Sequence, residues 1–268
     1  IVTALLFTFP FGPATLLVAA ALALGTYVWI ILDGARAARA ADEHYHLRAY
    51  NSPPVYIAIV IAAVMASGLL RAMVGATVAK AYRVPSGSME PTILIGDYIM
   101  ASRVWGDSAV GVARGALVVF ESAEEPGVDV IKRVVGVAGD TLAMRDNVLI
   151  RNGRPVAEPY VMLNESLKDV SEPEMRKWQL PHLIARNRKS YQPSLERWGP
   201  LLVSEDSVFV LGDNRNDSYD SRFYGFVALD RIRAIPKRIY FSYDRHAERP
   251  LPFLTAIRWE RVGRRLDR

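Results

Sequence analysis

A chain of 268 residues has room for one substantial domain plus a membrane anchor, or for two modest domains. With 51% hydrophobic residues it is too apolar to be disordered, and with no cysteine it excludes disulfide frameworks, thiolate nucleophiles and cysteine-based zinc sites together. The formal charge of +5 is scattered, with arginine concentrated only in the 258–268 tail and no nucleic-acid-binding motif beside it, which argues against nucleic acid as a partner and suits an anionic membrane surface.

The first charged residue is Asp33. Residues 13–32, PATLLVAAALALGTYVWIIL, are uncharged throughout, which matches the ~20 residues needed to cross a ~30 Å hydrocarbon core. This stretch predicts a transmembrane helix. A cleaved signal peptide would carry positive charge ahead of a shorter apolar run; Ala38-Arg39-Ala40 imitates a cleavage site, but no basic residue precedes the segment. A buried soluble helix of that length is the weaker alternative. Residues 1–9 are apolar as well, before Pro10 and Pro13 interrupt, and fit the end of an earlier helix. A second apolar segment, 54–79, is broken only by Arg71, whose long side chain snorkels to the headgroups from near the helix end. Arg36, Arg39 and Arg48 fall between the two segments, so the positive-inside rule puts the loop 33–53 in the cytoplasm and everything after residue 80 outside. Residues 1–79 are therefore expected to be a two-helix anchor in the inner (plasma) membrane, with the lipid bilayer as partner.

From residue 81 the pattern changes to short runs of Val, Ile, Phe and Tyr punctuated by Gly, Pro and Asp: TILIGDYIMASRV, GALVVFES, VDVIKRVVGV, NVLIRNG, SVFVLGD and RIYFSY. Runs of this kind predict strands. A helical stripe is suggested only within 165–190. Residues 80–268 read as a mainly β extracytoplasmic domain with a polar, proline-containing insertion at about 157–200.

Among the histidines, His44 and His46 belong to the inferred cytoplasmic loop, while His182 and His246 stand in polar surroundings without a motif. Each is expected to be a solvated surface residue rather than a catalytic one. Three other segments hold more chemistry. In Tyr82-Arg83-Val84-Pro85-Ser86-Gly87-Ser88-Met89-Glu90-Pro91-Thr92 two serines flank a glycine between prolines, stiff at the ends and permissive in the middle. Such a turn presents a hydroxyl, although Ser-Gly-Ser alone also fits an ordinary polar turn. In Val128-Asp129-Val130-Ile131-Lys132-Arg133-Val134 strand alternation puts Lys132 on the face of Val130 and Val134, and Arg133 on the other. Lost hydration lowers the pKa of a lysine so placed and makes it a candidate general base; an edge-strand lysine reaching solvent is the alternative. The third segment, Gly212-Asp213-Asn214-Arg215-Asn216-Asp217-Ser218-Tyr219-Asp220-Ser221-Arg222, has acidic spacing reminiscent of calcium loops but lacks their glycine and terminal glutamate. Asp220 and Arg222 suit an ion pair with one another or with Arg133, holding this loop beside the lysine strand.

Together these segments resemble the type I signal peptidases, membrane-bound serine/lysine peptidases that remove signal peptides from exported proteins. The resemblance lies in PSGSMEPT at 85–92, IGDYI at 95–99, KRVVGVAGD at 132–140 and GDNRNDSYDSRFYG at 212–225, with YFS at 240–242 and IRWERVG at 257–263 also similar. It implies the β fold shared with self-cleaving repressors. It implies Ser88 as nucleophile, Lys132 as general base, Ser86 as side-chain oxyanion donor beside the backbone N–H of Ser88, and Ser218 as the residue orienting the lysine amine. Asp220, Arg222 and Arg133 match a supporting charge cluster; Tyr82, Val84, Pro85, Ile93 and Ile131 match positions lining shallow apolar substrate pockets. No metal or cofactor is implied, and the partners are signal peptides of exported preproteins. Departures are Glu90 for a commonly apolar residue, Ala138 for a proline, Asn216-Asp217 in reversed order, and Tyr219 for an alanine, which bears on pocket size. Two rivals differ in class: a self-cleaving repressor, which needs a DNA-binding domain where this chain has apolar segments, and a catalytically silent membrane-anchored binding module. A dedicated processing peptidase of one secretion system is a narrower version of the same activity.

Overall fold

The structure is a computed structural model describing residues 21, 24–29, 32–36, 39, 53–77, 79–104, 112–122, 125–164, 169–184 and 188–266, with side chains of 70–79 outside the description. It divides into two compact units, Ile1–Ala79 and Lys80–Arg268.

In the first unit, α1 spans Pro53–Thr77. Prolines at its start are tolerated because the first helical N–H groups have no partner within the helix. Tyr56, Ile57, Val60, Ile61, Val64 and Met65 are all exposed. Among the described residues no helix is long and apolar enough to cross a membrane. In α1 the described side chains stop at Leu69, short of the ~20 apolar residues a span requires, so the expected span over 54–79 is not shown. The expected span over 13–32 falls largely outside the described residues; 21, 24–29 and 32 within it are helical. Of the loop 33–53, residues 33–36 and 39 are helical and most of the remainder lies outside the description.

The second unit is mainly β. Among the described residues eleven strands run β1 Ala79–Arg83, β2 Asp97–Arg103, β3 Leu117–Glu121, β4 Asp129–Val137, β5 Thr141–Arg145, β6 Val148–Arg151, β7 Arg154–Pro155, β8 Trp198–Leu202, β9 Ser207–Leu211, β10 Val227–Ala228 and β11 Ile232–Ser242. Seven form one sheet in the order β1-β2-β11-β3-β4-β9-β10, and four form a second in the order β7-β6-β5-β8. β4 is the third strand from one end of the large sheet, antiparallel to β3 and β9. Its residues Lys132 to Gly136 are all buried, so both faces of its Val-rich sequence are covered, which favours β-branched side chains throughout rather than at alternate positions. Pro236 lies within β11, where the register shifts before Arg238; a bulge is where a strand tolerates a residue that donates no hydrogen bond.

Between the sheets lies a core built from Val135, Leu142, Met144, Leu149, Trp198, Leu201, Phe209 and Leu211. Trp198 stacks on Phe209 with ring centroids 5.1 Å apart. The insertion joins this core: α2, Pro173–His182, sets Trp178 edge-on to Phe226 at 5.4 Å. Its final segment becomes β8, paired with β5. It is thus an integral layer rather than a polar excursion, because Trp178, Leu183 and Trp198 pack into the inter-sheet core and Met175 and Leu195 are buried as well.

Candidate active site

The Ser-Gly-Ser turn is fixed from both sides. Val84 N–H donates to Asp97 O at 3.0 Å upstream, and downstream Glu90 N–H donates to Gly87 O at 3.0 Å and Ile93 N–H to Met89 O at 2.9 Å. Across the molecule, Asn214 N–H donates to Ser88 O at 3.2 Å, and Asn214 Nδ2 to Gly87 O at 3.3 Å. The loop 212–225 is thereby bonded to the backbone of the turn that carries Ser88. Gly212 makes the approach possible: a Cβ there would lie 2.2 Å from Ser218 Oγ and 2.5 Å from Ser88 O, closer than any side chain tolerates.

Into this space projects Lys132, whose strand neighbour is Val118. Its Nζ donates to Ser88 Oγ at 2.9 Å and to Ser218 Oγ at 3.1 Å. The loss of hydration expected from the strand alternation is observed. Burial, the largest cause, together with the nearby Arg222 cation, outweighs the attraction of Asp220, Asp217 and Asp213 and lowers the Lys132 pKa to about 8.

Two ion pairs frame the amine. Asp220 and Arg222 are fully buried and joined side-on, with Arg222 Nε to Asp220 Oδ1 and Nη2 to Oδ2 both at 2.8 Å. Burial would raise the Asp220 pKa, but Arg222, Lys132 and the Gly212 N–H hold it below the ordinary carboxylate value. Asp220 also caps the short helix α3, Ser221–Tyr224, by accepting from Arg222 N–H. Of the two pairings the sequence offered, Asp220 and Arg222 take the one with each other, and Arg133 stays apart from them. It clasps Asp213, with Nε to Oδ1 at 2.7 Å and Nη2 to Oδ2 at 2.6 Å, because strand alternation turns it to the face opposite Lys132. Asp213 also accepts from Thr92 Oγ1 at 2.6 Å. The expected single cluster is therefore two separate pairs.

Sequence reasoning passed over Asp213, Thr92 and Gly212, although Gly-Asp-Asn at 212–214 heads the loop it singled out. It also missed a contribution from the insertion. Tyr160 lies under Arg133, ring centroid to guanidinium 3.9 Å, and Glu158 pairs with Arg215 at 2.6 Å. Met162 N–H donates to Asp213 O at 2.8 Å, and Arg215 N–H to Met162 O at 3.0 Å. No local sequence pattern signals these contacts.

The remaining candidates divide. Ser86 and Pro85 are exposed, and Tyr82 and Ile131 half-buried. Val84 and Ile93 belong to a core cluster with Met89, Ile99 and Leu117, and Ile93 has no exposed surface. Tyr219 is partly exposed and stacks on Phe223 at 4.9 Å. His246 is exposed as expected, while His182 is half-buried, edge-on to Phe226 at 4.8 Å, because it faces the inter-sheet aromatic cluster. His44 and His46 lie outside the described residues. Among the described residues no three acidic or histidine side chains gather as a metal ion would need.

A family model described as "Signal peptidase, peptidase S26" matches residues 55–241. Among curated relatives, the signal peptidase I of Aquifex aeolicus is 28% identical over 197 residues, covering 62% of this chain and 77% of that protein. The signal peptidase I of Pseudomonas aeruginosa is 31% identical over 173 residues, covering 59% of this chain and 60% of that one. A crystal structure of a signal peptidase I from Enterococcus faecalis V583, 28% identical, covers 46% of this chain and 94% of that chain with a TM-score of 0.31; at that score the superposition carries no argument.

Proposed function

The chain belongs to the signal peptidase family, peptidase S26, and from that premise we propose that it is a membrane-bound endopeptidase that cleaves signal peptides from exported preproteins with Ser88 as nucleophile and Lys132 as general base. The observation that carries this is the buried Lys132 amine 2.9 Å from Ser88 Oγ. A serine hydroxyl becomes nucleophilic when a base within hydrogen-bond reach takes its proton, and an amine titrating near 8 has a neutral fraction available at physiological pH. In the neutral form the amine donates to Ser218 Oγ and accepts from Ser88 Oγ–H, so Ser218 directs the lone pair toward the nucleophile.

As Ser88 attacks the scissile carbonyl, its proton passes to Lys132 and negative charge develops on the carbonyl oxygen. The backbone N–H of Ser88 and the hydroxyl of Ser86 are the proposed donors to that oxyanion. The protonated Lys132 then delivers its proton to the leaving amine. An acyl-enzyme on Ser88 is hydrolysed by water that the neutral amine activates in turn. Tyr82, Pro85 and Ile131 offer partly or fully exposed surface for the substrate side chains; Val84 and Ile93 would act from behind them, limiting pocket depth. The separate Asp213–Arg133 and Asp220–Arg222 pairs serve as support, holding the loop against the serine turn.

Residues 1–79 are proposed to anchor the enzyme in the plasma membrane. Apolar side chains exposed along α1 suit a lipid surrounding better than water. Along the chain only the stretch from Thr77 to Ser88 separates α1 from the nucleophile, which suits cleavage close to the bilayer, with the catalytic unit on the extracytoplasmic side.

Ser88→Ala and Lys132→Ala are each expected to abolish cleavage of a preprotein while circular dichroism and Tm stay near wild type, since the two act as one chemical unit. Ser86→Ala should cost less, about 10²–10³-fold in kcat for one oxyanion donor. Near-wild-type turnover by either dyad variant would overturn the mechanism, and cleavage of preproteins by the wild type would exclude the silent binding module.

A further inference from the structure

The insertion is bonded to the far side of the loop that orients the lysine. Gln179, fully buried on α2, donates from Nε2 to Arg222 O at 3.0 Å. Its neighbour Trp178 donates from Nε1 to the same oxygen at 2.8 Å. Gln179 is itself oriented, because its Oε1 accepts from Tyr191 Oη–H, whose oxygen accepts in turn from Gly199 N–H at 2.8 Å. Burial pushes the Tyr191 hydroxyl up to about 12, so it remains a donor at physiological pH. From Arg222 the network continues inward. Its Nη2 donates to Arg215 O at 2.5 Å and to Ser218 O at 3.3 Å, and Ser218 Oγ accepts from Lys132.

We infer that Gln179 and Trp178 are positioning residues for the peptidase reaction, fixing the Arg222 backbone so that the loop 212–225 keeps Ser218 against Lys132 and water away from the amine. Two donors converge on one carbonyl, which is more than satisfaction of that oxygen within a packed core requires, and the carbonyl belongs to the residue whose guanidinium binds Asp220 and the backbone of Ser218. Relaxation at Arg222 would carry the Asp220–Arg222 pair with it as a unit, so their opposed charge effects on Lys132 largely cancel. What then changes is burial, the largest cause of the lowered lysine pKa, and Lys132 moves back toward the free lysine value.

This inference rests on the proposed Ser88–Lys132 dyad. Its test is the pH dependence of kcat and KM for a short peptide substrate, measured on the full chain in detergent for Trp178→Phe, Gln179→Met and the double variant. Leu149→Ala, which opens the same inter-sheet core but removes neither hydrogen bond to Arg222 O, controls for lost stability. The double variant is expected to shift the midpoint of the rise of kcat with pH upward by about one pH unit and to lower kcat at pH 7 about tenfold, with KM within about threefold. Leu149→Ala should lower Tm without moving the midpoint. If the double variant fails to fold, Trp178→Phe decides alone, since it removes the N–H and keeps an aromatic ring in the cluster, its lost volume being matched by the Leu149→Ala control; a smaller upward shift supports the inference. A midpoint unchanged from wild type in the variants, with Tm lowered as in Leu149→Ala, would show that the insertion is merely structural and overturn the inference. If Ser88→Ala or Lys132→Ala retained activity, it is instead the dyad that would fall.

Discussion

At residue scale the site is decided by how little room it leaves. Gly212 carries no chemistry, yet any side chain there would meet Ser218 Oγ and Ser88 O together. Gly212→Ala is therefore expected to push the loop off the serine turn and lower kcat by more than about 100-fold, since misplacement of about 1 Å suffices for that loss. Peptide kinetics against an unchanged far-ultraviolet spectrum would check it. Lys132 makes the opposite trade. With its pKa lowered to about 8, the folded state binds fewer protons than the unfolded chain between about pH 8 and 10.5, so stability rises with pH across that window and the cost of burying the charge is fully present below it. Lys132→Met, inactive, is expected to be more stable than wild type at pH 7 by about 1–3 kcal/mol, with the gain vanishing above about pH 10.5. Denaturant melts at pH 7 and 10.5 would read this, and equal stability of the two proteins at pH 7 would contradict it. Lys132 was legible as a base candidate because strand alternation puts a charge on an apolar face. Arg133 was legible as buried support but not in its partner, since alternation sets the face of a residue and not what lies opposite.

Among the elements, those rich in Val, Ile and Phe and bounded by turn residues were legible: β2, β3, β4, β6 and β9 lie within the runs the composition marked, and RIYFSY marked the end of β11. Five pieces were not. β1 has the sequence AKAYR; β5, TLAMR, lacks a β-branched run; β7 contains proline; β8 contains Gly199 and Pro200; β10 is only Val227–Ala228. Each is extended because a neighbouring strand offers a hydrogen-bonding edge, which local propensity does not record. The C-terminal segment is tied back in a comparable way. Arg261 donates to Asp97 Oδ1 at 3.0 Å and to Oδ2 at 2.5 Å, and reaches Thr92 O at 3.0 Å, joining the tail to β2 and to the turn after Ser88. Asp97→Ala leaves this buried guanidinium without its counter-charge and is expected to destabilise the fold by about 3–5 kcal/mol, measured by urea unfolding. A loss below about 1 kcal/mol would mean that the tail is not held through this pair.

For the whole molecule, the division into Ile1–Ala79 and Lys80–Arg268 leads to the expectation that a chain lacking residues 1–78, which keeps β1 entire, folds and cleaves short peptides with kcat/KM close to full length. On a precursor inserted in liposomes it should be at least about tenfold slower, because the anchor confines enzyme and substrate to one surface. Equal losses on both substrates would mean that the N-terminal unit supports the active site itself, and the anchoring proposal would be withdrawn. What the sequence by itself determined was the peptidase family, through a serine in a stiff turn, a lysine on an apolar strand and a polar loop rich in Asp, Asn and Arg that together match it. Those are local properties, set by residue type and by strand period. Only the tertiary structure decided that Arg133 takes Asp213 and leaves Asp220 to Arg222, that Gly212 is where three segments meet, and that the insertion reaches the loop 212–225 through Trp178 and Gln179. These depend on pairings between residues tens of positions apart, chosen by sheet order and core packing, for which no pattern along the chain encodes the partner.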